Sequence, residues 1–318
     1  MAVYANVTDL IGNTPIVDIS SLSPNPEVRI LAKLEGQNPG GSVKDRAAKF
    51  MLDDAEREGR LEPGSVIIES SSGNTGIALA MLSKMRGYTF KVVLPENVSV
   101  ERRQALEVWG AEIISSPGAE GSNGAMLRAQ QLAAEHPDWY FPFQYGNDAN
   151  PRAHYETTGP EIFRDVPDIT HFVGGLGTAG TLMGVGTYLK EANPDIKIWA
   201  IEPPPGEMVD GLKNFDDGFV PPVFVDWNGP EVGGVLDRKR IVAPRESIEW
   251  TRRLTEVGLF VGISSGAIAA GAVKCAAEID HGVIVMIVCD GGWKYLSTGA
   301  WTAPIDEVVE RAKKIIYF

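Results

Sequence analysis

The feature that most constrains the fold of this chain is a regular alternation of short apolar runs with segments of amphipathic helical spacing. The apolar runs have the length of β-strands, and they read VIIES, FKVVLP, AEIIS, WYFPFQ, HFVGG, IKIWAIEP and VIVMIVCD. Strands that are joined by helices pair in parallel, and the helices then cover both faces of the sheet. We therefore predict an α/β fold with mostly parallel sheets and helices on both faces.

Breaks in this alternation indicate more than one structural unit. Segments rich in Gly, Pro and Asn lie at residues 38–41, 145–151 and 203–234. A chain of 318 residues also has the length of about two ordinary domains. We expect a two-domain protein with its functional site in the cleft between the domains.

The charge balance of the chain excludes several classes of partner. It has 42 acidic and 29 basic residues, a formal net charge of -13, so a nucleic-acid backbone or an anionic membrane would be repelled over most of the surface. The first residues, MAVYANVTDLIGNTP, lack the basic and apolar regions of a signal peptide, and no run approaches the roughly 18 apolar residues of a membrane span. We expect a cytoplasmic protein that binds neither nucleic acid nor membrane.

The cysteines and histidines give no pattern of metal ligands. Only two cysteines occur, Cys275 and Cys289, and the second follows an apolar run that is typical of a buried strand. We interpret both cysteines as small core residues, and we predict no disulfide and no metal. The histidines are scattered along the chain, at His136, His154, His171 and His281.

A lysine stands at a predicted helix start in NPGGSVKDR. Ser42 and Asp45 form a box-like S-x-x-D start, and apolar residues follow at helical spacing until Gly59. Lys44 then lies in the first turn, where the helix dipole lowers the pKa of an ammonium group while Asp45 raises it. A lowered pKa suits a nucleophilic amine or a Schiff base. By itself the segment is much better explained by a solvated Lys-Asp-Arg face, because most first-turn lysines have no chemical role.

The segment ESSSGNTG forms a first candidate anion site. The predicted strand VIIES runs into small polar residues, and a helix follows that ends at Gly87. Exposed backbone amides and the hydroxyls of Ser71, Ser72 and Thr75 suit the carboxylate of a small substrate. The alternative is an ordinary Ser/Thr-rich helix cap.

The segment HFVGGLGTAGT forms a second candidate anion site. A strand ends at 174–175 and a helix is predicted to begin near Thr181. Gly177 and Gly180 have no side chains, so backbone N–H groups can approach a phosphate there.

The same segment spells G-x-G-x-x-G at 175–180, and Glu202 follows where a dinucleotide fold places its ribose-binding acid. A nicotinamide-dependent dehydrogenase is therefore a competing hypothesis. Lys44 and the SSGNTG segment argue against it, because a dinucleotide site requires neither.

Taken together, Lys44 and the segments SSGNTG, GLGTAGT, GISSGA and DGGWKYLSTG resemble the pyridoxal-phosphate-dependent cysteine synthase and cystathionine β-synthase family along nearly the whole chain. ENVSVERRQ and DGGWKYLSTG are most similar to the bacterial cysteine synthase B group, including members that use O-phosphoserine. The resemblance implies fold type II, a pyridoxal 5'-phosphate cofactor and a homodimer. It also implies a mobile N-terminal α/β domain at 45–150 and a larger domain made of 1–44 and 151–318, which holds the cofactor phosphate.

The resemblance also implies roles for individual residues toward the cofactor. Lys44 would form the Schiff base, and Asn74 would contact the 3'-oxygen. Ala179 stands where many relatives have glycine, which is acceptable if its backbone keeps a negative φ. For the pyridine nitrogen we favour Ser264, with Asp290 as the alternative. The residues that would hold the phosphate are Gly177, Thr178, Ala179, Gly180 and Thr181.

For the substrate, the resemblance implies a carboxylate site and a candidate leaving-group site. Phosphoserine-using relatives place an arginine at the position of Lys213, so this lysine either meets a phosphate or is a surface residue balancing nearby aspartates. The residues matching the carboxylate site are Ser71, Ser72, Thr75 and Gln144.

The activity implied by the resemblance is cysteine synthesis by β-replacement on O-phosphoserine or O-acetylserine, through an aminoacrylate intermediate. The sulfur source is open among sulfide, thiosulfate and a thiocarboxylated carrier protein. Cystathionine β-synthase, diaminopropionate synthase and serine or threonine dehydratase are alternatives with the same cofactor. A non-catalytic binding module is an alternative of another class. The final segment, APIDEVVERAKKIIYF, has helical spacing, and we expect its apolar end to pack on this chain, a dimer mate or the cleft.

Overall fold

The computed structural model describes residues 3–71, 73–228 and 234–314, and these contain nine strands and eleven α-helices. The strands are β1 Ile16–Asp18, β2 Val28–Leu34, β3 Val66–Ser70, β4 Thr89–Pro95, β5 Glu112–Ser116, β6 His171–Gly175, β7 Lys197–Glu202, β8 Arg238–Ile241 and β9 Gly282–Val288. The helices are α1 Lys44–Arg57, α2 Asn74–Arg86, α3 Val100–Glu107, α4 Gly121–Glu135, α5 Ala149–Ala153, α6 Gly159–Asp165, α7 Gly180–Ala192, α8 Pro222–Asn228, α9 Pro244–Arg253, α10 Ile263–Glu278 and α11 Ile305–Lys314.

The larger of the two sheets has six strands in the order β1-β2-β9-β6-β7-β8. All of its pairs are parallel except β1 with β2. On central strand β9, Ile284 and Met286 pack with α9 and α10, whereas Val283, Val285 and Ile287 pack with α7. Because side chains alternate along a strand, helices cover both faces of this sheet, as predicted.

The smaller sheet has three parallel strands in the order β3-β4-β5. Ile67 packs with α1 and α2 on one face, and its neighbour Ile68 packs with α4 on the other. The strands of this sheet all fall within 45–150, and those of the larger sheet all fall outside it. The domain division at 45 and 150 remains a prediction that this separation supports.

A buried ionic cluster fixes α1 against the larger sheet. The guanidinium of Arg46 lies 2.7 Å from Glu35 and 2.6 Å from Glu161, and Lys33 Nζ lies 2.7 Å from Glu161. All four side chains are at most 7% exposed, so the two positive and two negative charges balance each other away from solvent. This cluster positions the helix turn that carries Lys44.

Several expectations from the sequence do not match the structure. The run WYFPFQ forms no strand; only an isolated bridge joins Tyr140 to Ile67, because Pro142 has no N–H to donate and Phe143 has a φ of +47°. Strands β1, β2 and β8 were not predicted. The apolar end IIYF, at 315–318, lies outside the described residues. Within the part of the chain that is described, no helix is long and apolar enough to cross a membrane.

Candidate active site

A cleft with an empty volume of about 1120 Å³, part of it open to solvent, lies where both sheets contribute loops at their strand ends. This is the usual position of ligand sites in open parallel sheets. Residues from distant parts of the chain meet there, among them nine that the sequence predicted. The nine are Lys44, Ser71, Asn74, Thr75, Gln144, Gly177, Thr178, Lys213 and Ser264.

The other predicted site residues lie near the cleft without lining its wall, or outside the described residues. Ser72 is outside the described residues. Gly180 begins α7, and the hydroxyl of Thr181 lies 3.3 Å from His154 Nε2. Ala179 is the N-cap of α7 with a φ of +68°, so the expectation of a negative φ is wrong. A left-handed residue turns the chain from the loop into the helix here, although alanine adopts this conformation less easily than glycine.

Lys44 begins α1, in the first helical turn as predicted. Burial lowers the pKa of its ammonium group, and the side chains of Cys289 and Asp290 act in the opposite direction. The sequence had suggested that neighbouring Asp45 raises the pKa of Lys44. In the structure the groups that raise it follow the end of β9 instead. Desolvation therefore has the largest influence on the pKa of this amine, which lines the cleft.

The predicted S-x-x-D helix start is built differently from a capping box. The N-cap is Val43, and Ser42 Oγ accepts the N–H of Lys44 at 3.2 Å. The carboxylate of Asp45 accepts the N–H of Gly40, so it closes the preceding turn. Asp45 is buried, and burial raises its pKa to about 6. The pair therefore shapes the loop before Lys44.

The turn after β6 forms one wall of the cleft from backbone. A Cβ added at Gly177 would lie 2.6 Å from the carbonyl oxygen of Gly211, too close for any side chain. Thr178 Oγ1 accepts a hydrogen bond from Asn150 Nδ2 at 3.1 Å, which ties the turn to α5. The N-terminus of the 13-residue helix α7 follows directly. Amides and helix dipole together suit an anion such as phosphate.

Thr75 and Gln144 form a polar pair in the same cleft. Thr75 Oγ1 donates to Gln144 Oε1 at 2.6 Å, so the amide hydrogens of Gln144 remain available for an anionic ligand. Ser71 Oγ accepts the N–H of Gly76 at 3.1 Å and keeps its own hydrogen to donate. Behind them lies Glu69, which is 1% exposed and accepts the N–H of Gln144 at 3.4 Å. Burial raises the pKa of Glu69 to about 7.

Asp290, the alternative partner for a pyridine nitrogen, has neighbours bound to one carboxylate oxygen only, and its Oδ1 is buried without a hydrogen-bond partner among the described residues. One of its carboxylate oxygens accepts hydrogen bonds from Asn74 Nδ2 and from Tyr295 OH, each at 2.7 Å. Burial raises its pKa. Ser264, by contrast, is itself part of the cleft wall, and Asp290 is not.

Several residues that line the cleft were not predicted as site residues. The amine of Lys213 lies 5.0 Å from the ring centre of Tyr145, and Asp210 pairs with Arg102 at 2.5 Å. Cys289, interpreted as a core residue, also lines the cleft, and burial raises its pKa to about 12. Arg102 lies in ENVSVERRQ, so the only sequence signal for it was the family motif.

Comparisons with known proteins relate this chain to a family of enzymes. A family described as "Pyridoxal-phosphate dependent enzyme" matches residues 7–290. Cysteine synthase B of Pseudomonas aeruginosa is 40% identical over 300 residues, which cover 94% of this chain and 98% of that protein. The solved structure of O-ureido-L-serine synthase is 38% identical, with a TM-score of 0.86 over 94% of this chain and 95% of the other. An O-acetylserine-dependent cystathionine β-synthase from Helicobacter pylori is 35% identical, with a TM-score of 0.83 over 93% and 98%.

Proposed function

The chain belongs to the pyridoxal-phosphate-dependent enzyme family, and on this premise we propose that it is a cysteine synthase. In the proposed reaction a sulfur nucleophile replaces the β-substituent of O-phosphoserine or O-acetylserine, and L-cysteine is formed. The observation that carries the proposal is that Lys44, Gln144 and the start of the glycine turn, at Gly177 and Thr178, meet at one cleft. Membership of this family leaves the dehydrogenase hypothesis without support.

The residues of the cleft fit pyridoxal 5'-phosphate. The wall at Gly177 is bare backbone, because an added Cβ would collide with the Gly211 carbonyl oxygen, and α7 begins three residues later, so amides at 177–181 would hold the phosphate. Lys44 lines the same cleft with a lowered pKa. An amine and an anion site in one cavity are what an aldehyde cofactor with a phosphate arm requires.

Lys44 is proposed to hold the cofactor and to move the substrate's α-proton. When bound, pyridoxal phosphate supplies the electron sink that makes this proton removable. With the cofactor bound, Lys44 Nζ would accept the proton from the substrate's α-carbon and would return it at the end of the turnover. Burial keeps a larger share of this amine neutral, which a base requires.

The carboxylate of the substrate is proposed to bind between the start of α2 and Gln144. Gln144 can donate from its amide because Thr75 already occupies its oxygen. The hydroxyl of Ser71 and the amides that begin α2 supply further donors, and Ser72 is proposed to complete the site. This arrangement orients the substrate so that its α-carbon faces Lys44.

Ser264 is proposed as the partner of the pyridine nitrogen. It lines the cleft, whereas one oxygen of Asp290 is already bound by Asn74 and Tyr295. A neutral serine leaves the ring a moderate electron sink, which suits elimination and replacement at the β-carbon.

Lys213 is proposed to favour a phosphorylated donor. Its amine lies over the rings of Tyr145 and Phe219, at 5.0 and 5.1 Å, and burial lowers its pKa. A phosphate leaving group in the cleft would offset the unfavourable burial of this charge. Lysine supplies charge without the two-pronged geometry of arginine, so we expect a preference for O-phosphoserine and not an exclusion of O-acetylserine.

The proposed function is tested with purified protein, both serine donors and sulfide. We expect cysteine as the product and a Schiff-base absorption band, and we expect K44A to lose the band and roughly 10²–10⁴-fold in turnover. K49A is the matched control, because Lys49 lies on the same helix and pairs with Asp53 on the surface. A normal band in K44A would refute the assignment, and ammonia with a keto acid in place of cysteine would indicate a dehydratase.

The donor preference is tested by the ratio of kcat/KM for the two donors in wild type, K213M and K213R. We expect K213M to lose about tenfold more efficiency with O-phosphoserine than with O-acetylserine, since only the first carries a dianion. K213R should keep most of the preference. An unchanged ratio in K213M would remove Lys213 from the site.

The remaining proposals rest on the family relationship. We propose a homodimer, to be tested by the mass in solution, and a smaller mobile domain at 45–150 against a larger one made of 1–44 and 151–318. Thiosulfate and a thiocarboxylated carrier protein are sulfur donors to compare with sulfide in the same assay.

A further inference from the structure

Lys294 is a half-buried lysine next to Asn74, a residue of the cleft wall, and the proposed reaction does not use it. Its amine donates to the carbonyl oxygens of Gly40 and Gly41, at 3.2 and 3.1 Å, and to Asn74 Oδ1. An ammonium group has three hydrogens, so these contacts satisfy it completely. Lys294 thereby joins the loop before Lys44 to the first residue of α2.

The chemistry of the two neighbours determines which way the Asn74 amide faces. A lysine can only donate hydrogen bonds, so the Asn74 atom next to it has to be the oxygen. An ionised aspartate can only accept, so the atom next to Asp290 has to be the nitrogen, at 2.7 Å. The amide is thus oriented at both ends by groups of opposite charge.

This orientation decides what Asn74 can offer to a ligand. One Nδ2 hydrogen is donated to Asp290, and the second remains for the cleft that Asn74 lines. If the amide were reversed, its oxygen would face both a carboxylate and the ligand, and like charge would repel the oxygen of the cofactor.

We propose that Lys294 is a positioning residue that holds the Asn74 amide with its N–H, and not its oxygen, toward the 3'-oxygen of pyridoxal phosphate. This inference rests on the proposed function, because it assumes the cofactor in this cleft with Asn74 at its 3'-oxygen. Tyr295, which donates to the same Asp290 oxygen as Asn74, keeps the acceptor side of the arrangement in place.

A purely structural role for Lys294 predicts a different outcome. Its bonds to Gly40 and Gly41 could simply tether the loop before Lys44. In that case the loss of Lys294 would weaken cofactor binding whether or not Asn74 is present. In the proposed role, the loss acts through Asn74 and disappears when that side chain is removed.

The experiment compares wild type, K294M, K294R, N74A and K294M/N74A without substrate. The two measurements are the dissociation constant of pyridoxal phosphate and the pH at which the Schiff-base absorption band changes. K274M is the matched control, since Lys274 is also half-buried and donates to one carbonyl oxygen and one acidic side chain. Circular dichroism monitors folding. If K294M does not fold, K294Q replaces it in the comparison of single and double variants.

We expect K294M to bind the cofactor about tenfold more weakly and to shift the titration of the band. K294R should stay within about twofold of wild type, because arginine also only donates. K294M/N74A should match N74A. An unshifted band in K294M, or a full effect of K294M in the N74A background, would overturn the inference. Wild type without a Schiff-base band would instead overturn the proposed function.

Discussion

Replacing Glu69 with glutamine is expected to remove a loss of folding stability that occurs as the pH rises. Glu69 is the next-to-last residue of β3 and is 1% exposed. Its carboxylate accepts hydrogen bonds from the backbone N–H groups of Ser70 at 2.9 Å and Gln144 at 3.4 Å. Burial raises its pKa from 4.5 to about 7. The folded state therefore binds the proton more tightly than the unfolded state. Its contribution to stability is complete below about pH 4.5 and is lost as the pH rises through about 7.

The size of the effect follows from these two pKa values. A rise from 4.5 to about 7 amounts to about 3 kcal/mol of stability lost between pH 4.5 and pH 8. For 318 residues the unfolding entropy is about 0.7 kcal/mol/K. The loss then corresponds to about 4 °C in Tm. Glutamine has the same shape, accepts the same type of hydrogen bond and does not ionise, so E69Q should not show this loss.

The assay is thermal unfolding of wild type and E69Q across this pH range. The quantity to plot is the Tm of E69Q minus that of wild type, because effects of other titrating groups cancel in it. We expect this difference to rise by about 4 °C toward pH 8. E62Q is the control, since Glu62 is exposed, and its difference should be flat. A flat difference for E69Q would refute the reasoning from burial.

Three further changes test other features of the fold and the cleft. A179G should raise stability by up to about 1 kcal/mol because φ is +68° there; a lower Tm would show that the alanine is unstrained. G177A should weaken cofactor binding at least about tenfold, because its Cβ would meet the Gly211 carbonyl; equal affinity would mean that the turn is not the phosphate site. R46M leaves the buried Glu35 without a cationic partner and Glu161 with Lys33 alone, so it should lower the free energy of unfolding by about 3–5 kcal/mol in urea; a change below about 1 kcal/mol would contradict this account of the cluster.

Local patterns in the sequence were sufficient for the main elements of the fold. The apolar run at 282–288 is buried on both faces as strand β9, and α2 ends at Gly87 in the left-handed conformation. The alternation of strands and helices correctly predicted parallel sheets. These features depend on neighbours within a few turns of chain, so their signals lie within short windows of sequence.

The cleft was predicted in part, through motifs whose residues are close together in the chain. Lys44 lies in the first turn of α1, and Gly177 lies in the turn before α7, as expected. The run WYFPFQ was wrongly predicted as a strand, because the prediction used its apolar pattern alone and Pro142 has no N–H to donate to a neighbouring strand. Ala179 was expected at negative φ, and only the path of the chain into α7 shows otherwise.

By itself, the sequence determined the order of strands and helices, the glycine turn and the lysine at a helix start, because periodicity and backbone freedom are local properties. The tertiary structure alone decided that Asn74 lies between Lys294 and Asp290, more than 200 residues away along the chain. It also decided that burial, and not the adjacent Asp45, governs the pKa of Lys44. Contacts and desolvation of this kind exist only after distant segments pack together, so no short window of sequence contains them.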